Sequence, residues 1–321
     1  MWINRQDFLY AIRSGSRTPL LSAVAIVALS LGIGLNAGVF ALLNTLFLDA
    51  PTRSNPATFV QLYPRYEGWF TAAGQFSSFT TEDYEAIRTQ THALEEVAAA
   101  QPSSAVLGQG PRHVATELTS CNYFHVFGID RPLLGRFLAP SECARGTADQ
   151  LAVISELLWR NQFGADPHMI GKMIHLNGLP FEVIGIVSGD DANLLMGGVF
   201  VPYTVQPLLD HAYNELSNVD APWLNITGRL RQGYSRADAQ AELTTILRRQ
   251  DRAYVERKIT PFNRRTTVVL TNGSFVANPA FHDLVIVLMA LILGPLSLDW
   301  SVRRSFCGSG PRIRIRIAPC R

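Results

Sequence analysis

The stretch Thr18–Leu48, TPLLSAVAIVALSLGIGLNAGVFALLNTLFL, contains no ionisable residue over 31 positions. A helix needs about 20 apolar residues to cross the hydrocarbon core of a bilayer, whereas the apolar part of a signal peptide has only about 7–15. The stretch therefore predicts a retained transmembrane helix over residues 18–48 rather than a cleaved signal.

The charges beside this helix predict its orientation. Arg5, Arg13 and Arg17 precede it, and Asp49 follows it directly. Positively charged flanks stay in the cytoplasm. We therefore expect residues 1–17 to form a cytoplasmic juxtamembrane segment in contact with membrane lipid. The main domain is expected on the periplasmic, or extracytoplasmic, side of the inner (plasma) membrane.

One face of the predicted helix carries small and polar residues. Gly34 and Gly38 are four positions apart, and Asn36 and Asn44 place amide groups within the span. Small residues let a second helix approach closely, and an amide in lipid forms interhelical hydrogen bonds. These four residues are our candidates for helix packing.

The next segment, residues 49–282, has the composition of a folded domain outside the lipid. The whole chain has 28 basic and 26 acidic residues, but six of the arginines lie between Arg303 and Arg321. The remainder is mildly acidic and lacks the electrostatic footprint of a nucleic-acid-binding protein. We expect no nucleic-acid partner.

The residue pattern of this segment predicts mixed α and β structure. Strands are expected at 59–63 (bounded by Pro56 and Pro64), 114–118, 151–154, 224–230 and 266–271, with a hairpin of 172–176 and 181–187 around Asn177-Gly178. Helices are expected after the capping residues Thr80, Ser155 and Ser235. The first helix is expected to carry Tyr84, Ile87, Leu94 and Val97, and the last Ala239, Leu243, Ile246, Leu247 and Tyr254.

The order of these elements predicts an α+β domain with two parts. Strand–helix–strand units at each end are expected to form one subdomain, from about 55–118 and 222–272, with a second subdomain inserted over about 119–221. A second apolar run, residues 283–298, is short for a span and precedes an irregular basic tail, residues 299–321. We interpret this run as the remnant of a second transmembrane helix in a C-terminally truncated chain.

Several ordered motifs match a known family. They include Asp7-Phe-Leu-Tyr-Ala-Ile-Arg13, Ala28-Leu-Ser-Leu-Gly-Ile-Gly34, Asn122-Tyr-Phe124, Leu134-Gly-Arg136, Phe163-Gly164, Leu176-Asn-Gly178, Val183-Ile-Gly-Ile-Val187, Gly228-Arg229-Leu230 and Ala239-Gln-Ala-Glu-Leu243. In this order they resemble the MacB-type, or FtsX-like, ABC transporter permeases, especially their periplasmic core domain. The chain has no Walker motif, so it is most similar to the orphan permeases that lack a fused ATPase.

The resemblance implies a permease subunit of an ABC-type transport or mechanotransmission system. Its implied partners are an ABC ATPase supplied in trans and a second permease copy, as in a homodimer. The extracytoplasmic domain, with a porter-like part, is expected to relay ATPase-driven movement. The alternative is a single-pass, membrane-anchored scaffold or binding protein for an envelope partner. The transported substrate and the direction of transport are not encoded in these motifs.

No motif predicts catalysis, a cofactor or a metal site. The seven histidines include no HExxH pair, and no GxSxG nucleophile elbow occurs. We expect His125 to be a packed or surface side chain, and the protein not to be an enzyme. Sequence alone leaves the state of Cys121 and Cys143 open, although it favours two unpaired cysteines over a disulfide.

Overall fold

The computed structural model describes residues 50–67, 78–189, 198–210, 213–219, 221–256 and 264–274, together with positions 20, 24, 27, 30 and 34. The chain divides into two compact units, Met1–Asp49 and Ala50–Arg321. The five described positions of the first unit are helical and exposed. The rest of the predicted helix 18–48, the apolar run 283–298 and the tail 299–321 lie outside the described residues. Among the described helices, none is both long and apolar enough to cross a membrane.

The described part of the second unit contains ten strands, five α-helices and two 3-10 turns. The strands are β1 Phe59–Glu67, β2 Leu94–Val106, β3 His113–Thr119, β4 Leu134–Gly135, β5 Leu151–Ser155, β6 Met173–Leu176, β7 Leu179–Val187, β8 Val199–Pro202, β9 Asn225–Leu230 and β10 Arg265–Thr271. The helices are α1 Thr81–Gln90, α2 Tyr123–Val126, α3 Glu156–Phe163, α4 Gln206–Leu209 and α5 Arg236–Glu256, and the 3-10 turns are Pro140–Cys143 and Tyr203–Val205.

All ten strands belong to one sheet in the order β10-β1-β9-β2-β3-β8-β5-β7-β4, with β6 also paired to β7. We call β10, β1, β9, β2 and β3 the first half of the sheet, and β8, β5, β7, β4 and β6 the second half. A parallel ladder between β3 and β8 joins the halves, over Thr116–Thr119 and Val199–Pro202. The fold is therefore mixed α/β, as the sequence predicts.

Two strand–helix–strand units interlock in the first half. The antiparallel neighbours of β9 are β1 and β2, so the unit β1-α1-β2 encloses β9. The antiparallel neighbours of β1 are β9 and β10, so the unit β9-α5-β10 encloses β1. The helices α1 and α5 pack together, and all five predicted apolar positions of α5 are buried. Neither unit can be removed without opening the sheet of the other.

The predicted caps and hairpin are confirmed. The Thr80 hydroxyl accepts a hydrogen bond from the Asp83 amide, and the Asp83 carboxylate accepts one from the Thr80 amide. The Ser155 hydroxyl accepts from the Leu158 amide at the start of α3. Asn177 and Gly178 both have positive φ, as a two-residue turn between β6 and β7 requires.

The prediction that α1 extends to Leu94 and Val97 is wrong. The helix ends at Gln90, and both residues belong to β2. The segment is rich in alanine and glutamate, which favour helix, but the sheet places it between β9 and β3. Here Ala98 and Ala99 are fully buried, so tertiary pairing overrides local preference.

Pro64 does not end β1, contrary to the prediction. The strand continues to Glu67, with Pro64 opposite Val268 of β10. On its other side, β1 pairs with β9 only as far as Leu62. Pro64 therefore lies where β1 has a single neighbour, which is where a strand tolerates a residue without an amide N–H.

Candidate functional site

The two ends of the described domain meet at one place. We call residues 50–58 the leading segment, because the chain enters the domain through it. A Cβ atom on Gly273, just after β10, would lie 2.6 Å from the Phe59 ring and 3.2 Å from Pro51. Gly273 also has a φ of +75°, so a side chain there is excluded both by space and by backbone conformation. The chain thus enters and leaves the domain side by side.

Arg229 of β9 fixes the leading segment to the sheet. Its Nη1 donates to the carbonyl oxygens of Ser54 at 2.6 Å and Asn55 at 2.8 Å, and also to the Thr58 hydroxyl. Its Nη2 donates to the hydroxyls of Thr52 and Ser54. We call this set of contacts the Arg229 clamp.

The same guanidinium also holds α2. Its Nε donates to the Val126 carbonyl oxygen at 2.8 Å, and the Phe127 carbonyl oxygen accepts from the Arg53 amide at 2.9 Å. Gly128 lies so close to the leading segment that a Cβ atom there would be 2.3 Å from the Ser54 hydroxyl. One side chain therefore connects β9, α2 and the first residues of the domain.

Among the described residues, no carboxylate binds the buried positive charge of the Arg229 clamp. Arg229 is 9% exposed, and its guanidinium carbon lies 5.5 Å from the centroid of the Phe59 ring. Burial lowers the pKa of Arg229 from its usual value, while the Glu96 carboxylate opposes this shift. Carbonyl and hydroxyl oxygens supply the hydrogen-bonding partners instead, and the planar fork of arginine reaches several of them at once.

A second buried arginine ties together α1, α5 and β10. Arg264, which is 3% exposed, donates to Asp83 at 2.8 Å and to Asp251 at 2.6 Å. Asp251 also accepts from the Thr266 amide and hydroxyl. Burial raises the pKa of Asp251, and the Arg264 guanidinium opposes this shift. We call Asp83, Asp251 and Arg264 the buried charge cluster.

A groove of about 630 Å³ lies between α1, the start of β2 and the 3-10 turn Pro140–Cys143. Several of the charged residues at this groove form pairs. Arg145 forms an ion pair with Glu82 at 2.7 Å, Arg88 pairs with Glu85, and the Tyr203 hydroxyl donates to Glu85. The Arg145–Glu82 and Tyr203–Glu85 contacts connect α1 to the segments that follow Cys143 and β8, whereas Arg88 and Glu85 both belong to α1.

Cys121 and Cys143 form a disulfide that lines this groove, with Cα atoms 5.8 Å apart. The sequence-based preference for unpaired cysteines is therefore wrong. Glu142 positions the 3-10 turn that carries Cys143, because it accepts from the Ala139 amide and pairs with Arg136. This places Cys143 against Cys121, which lies just after the end of β3. The spacing of the two cysteines in the sequence does not reveal this proximity.

His125 lies on the surface, as expected. Its side chain is 61% exposed, with Nδ1 2.6 Å from a Glu96 oxygen and Nε2 3.4 Å from an Asp130 oxygen. Within the described residues, no group of three or more His, Cys, Asp or Glu side chains is arranged to hold a metal ion.

Of the predicted helix-packing residues, only Gly34 is described. It is helical and exposed, and a Cβ atom there would meet nothing within 4 Å. Asn36, Gly38 and Asn44 lie outside the described residues, so the helix-packing hypothesis stays a prediction. Sequence reasoning missed the roles of Arg229 and Arg264. The available signal for Arg229 was a charged residue in an otherwise uncharged strand core, Ile226 to Leu230.

Comparison with known proteins places the chain in a family. The profile of the MacB-like periplasmic core domain matches residues 22–246, well over half of the chain. The chain is 33% identical over 131 residues to the macrolide export ATP-binding/permease protein MacB of Burkholderia thailandensis, covering 39% of this chain and 18% of that protein. It is 34% identical over 104 residues to the protein of the same name from Burkholderia pseudomallei, covering 30% and 14%. The chain thus spans less than a fifth of these relatives.

Solved structures of similar domains are more distant in sequence. The periplasmic region of MacB from Actinobacillus actinomycetemcomitans has a TM-score of 0.48 at 17% identity, covering 67% of this chain and 89% of that one. The extracellular domain of the noncanonic ABC-type transporter YknZ from Gram-positive bacteria has a TM-score of 0.45 at 15% identity, covering 66% and 99%. On the extent of the profile match, the chain belongs to the family of the MacB-like periplasmic core domain.

Proposed function

We propose that this protein is a permease subunit of an ABC-type transport or mechanotransmission system. Its extracytoplasmic domain relays movement that an ATPase drives on the other side of the membrane. The observation that carries the proposal is the meeting of the two domain ends at Gly273 and Pro51, beside the Arg229 clamp. Movement of either flanking segment would act on the same point of the sheet.

The clamp gives this movement a route into the domain. Arg229 belongs to β9, which lies between β1 and β2 and so contacts both interlocked units. The buried charge cluster then joins α1, α5 and β10. A displacement of the leading segment would therefore be passed on to the first half of the sheet as a body rather than absorbed in a loop.

The proposal includes an anchored arrangement. Residues 18–48 form the transmembrane helix, with the N-terminus in the cytoplasm and residues 49–282 outside, as a porter-like subdomain with an inserted one. The Cys121–Cys143 disulfide supports this location, because disulfides persist in oxidising compartments. The partners are an ABC ATPase in trans and a second permease copy, packed through the helix face of Gly34 and Gly38.

The test is co-purification of the tagged full chain from solubilised membranes of its own host, followed by mass spectrometry. An unrelated single-span protein with the same tag is the control. Recovery of an ABC ATPase with this chain alone supports a permease subunit. Recovery of envelope proteins without any ATPase contradicts it and favours the membrane-anchored scaffold.

A further inference from the structure

A pocket with several arginines lies where the end of α5 meets the start of β10. Its volume is about 420 Å³, and Arg248, Arg252 and Arg265 line it. Arg248 and Arg252 are four positions apart on α5, so they lie on the same face of the helix. Arg265 is the first residue of β10, which packs against α5. We call these three residues the arginine pocket.

None of these three arginines forms an ion pair or a hydrogen bond with another residue that the structure describes. By contrast, the exposed side chains of Arg136 and Arg145 each hold a glutamate oxygen at 2.7 Å. Like charges four positions apart on a helix repel each other and destabilise it. The arginine pocket therefore presents positive charge that a bound anion would offset.

The acidic residues beside the pocket do not neutralise it. Asp251 is buried and already accepts a hydrogen bond from Arg264 at 2.6 Å. Glu67 and Glu256 also line the pocket, but within the described residues neither forms an ion pair with the arginine pocket. In the sequence, positions 248–265 hold seven basic residues and two acidic ones, although the chain without its basic tail is mildly acidic. Positive charge is thus concentrated at this place.

We propose that the arginine pocket binds a small dissolved anion that carries a phosphate group. Each guanidinium presents a planar set of N–H donors that matches the spacing of phosphate oxygens. A phosphate monoester has three acceptor oxygens and a charge of about −1.5 to −2 at neutral pH, so it can engage three guanidinium groups together. A carboxylate has two oxygens and a single charge. The volume of the pocket lies within the range of about 300–1,000 Å³ that is typical of small-molecule sites.

The position of the pocket favours a dissolved anion over a lipid headgroup. The ladder between β1 and β10 runs from the pair Gln61–Thr271, close to Gly273, to the pair Glu67–Arg265 at the pocket. At about 3.3 Å per residue, the pocket lies about 20 Å along this ladder from the point where the chain enters the domain. In the anchored arrangement proposed above, lipid headgroups lie at the other end. Only this choice of a dissolved ligand rests on the proposed function.

The test is a calorimetric titration of the full chain with inorganic pyrophosphate, in non-ionic detergent micelles near neutral pH. The parent is compared with Arg248→Gln/Arg252→Gln and with a control, Arg231→Gln/Arg236→Gln, which removes two exposed arginines beside the start of α5. We expect the parent and the control to share one Kd, and Arg248→Gln/Arg252→Gln to bind about tenfold more weakly or worse, because it loses charged donors. No binding by the parent, or the same Kd for all three chains, would overturn the proposal.

Two further measurements identify the class of anion. Acetate at the same ionic strength should bind the parent far more weakly than pyrophosphate, and equally tight binding would overturn the preference for phosphate. Hydrogen exchange of residues 248–256 should be the same in nanodiscs of phosphatidylcholine and of phosphatidylglycerol. Protection by phosphatidylglycerol that is lost in Arg248→Gln/Arg252→Gln would assign the pocket to a lipid headgroup and overturn the dissolved ligand.

A melting curve of each chain without ligand separates weaker binding from poor folding. The replaced arginines are exposed and have no described partner, so all three chains should melt at the same temperature. A Kd that rises in Arg248→Gln/Arg252→Gln at an unchanged melting temperature supports the site. A Kd that rises only together with a loss of folded protein contradicts it.

Discussion

At the scale of single residues, Arg229 and Arg264 show two ways of keeping a guanidinium in a protein interior. Arg264 is neutralised by carboxylates, whereas Arg229 is held by carbonyl and hydroxyl oxygens. The acceptors of Arg229 in the leading segment are up to 177 positions away in sequence. Backbone carbonyls carry no residue signature, so the acceptors of Arg229 could not be identified from the sequence.

Replacing Arg229 should weaken the domain in proportion to the hydrogen bonds removed. We expect Arg229→Met to cost about 3 kcal/mol of unfolding free energy, because several buried acceptors lose a charged donor. Arg229→Lys should cost less unfolding free energy, about 1–2 kcal/mol, since the lysine ammonium keeps the charge but lacks the planar set of N–H donors of a guanidinium. Denaturant unfolding of the full chain measures both. Arg231→Met, at an exposed position just after β9, is the control. If Arg229→Met lost no more unfolding free energy than Arg231→Met, the Arg229 clamp would be refuted.

The disulfide gives a second prediction at the residue scale. It closes a loop with a sequence separation of 22 residues, so its removal in Cys121→Ala/Cys143→Ala should cost about 3 kcal/mol. Reductant should lower the melting temperature of the parent and leave the double variant unaffected. Alkylation of both cysteines in the unreduced, denatured protein would show that the bond does not form.

At the scale of elements, the buried charge cluster explains how helices α1 and α5 are held to the strand β10. Arg264 precedes β10, Asp251 belongs to α5 and Asp83 to the first turn of α1. The rings of Tyr66 and Tyr254 lie against the guanidinium, with centroids 5.3 and 4.8 Å from its central carbon. Three elements distant in the chain thus share one set of charges.

Removing the central cation should therefore be costly and dependent on pH. Arg264→Leu leaves two buried carboxylates without their partner, and we expect a loss of about 3–5 kcal/mol near neutral pH. The loss should shrink as the pH falls, because burial raises the pKa of Asp251 and protonation then neutralises this carboxylate in the variant. Unfolding measured from pH 7 to 4 tests this, with the exposed neighbour in Arg265→Leu as the control. A loss independent of pH would contradict the account.

The sequence predicts those elements that are fixed by residues close together in the chain. The caps at Thr80 and Ser155 and the Asn177-Gly178 turn involve residues within three positions of each other, so they were predictable. The strand β2 was not, because an alanine- and glutamate-rich segment becomes a strand only through pairing with β9 and β3. The disulfide was missed for the same reason.

At the scale of the whole molecule, one continuous sheet connects the two halves of the domain. The chain leaves the first half after β3 and returns to it at β9. The halves are joined by the β3–β8 ladder. The order of the predicted strands and helices indicated this mixed α/β domain, but not the contacts at its two ends, which depend on close approaches such as that of Gly273 to Phe59.

The relay through the Arg229 clamp is tested most directly by hydrogen exchange of the full chain with its co-purified ATPase in lipid nanodiscs. Exchange is compared between the nucleotide-free complex and the complex trapped with ATP and vanadate. We predict that trapping changes exchange in peptides covering residues 52–58, 126–128 and 229–230, where movement enters the domain. Identical exchange across residues 50–274 in both states would contradict the relay.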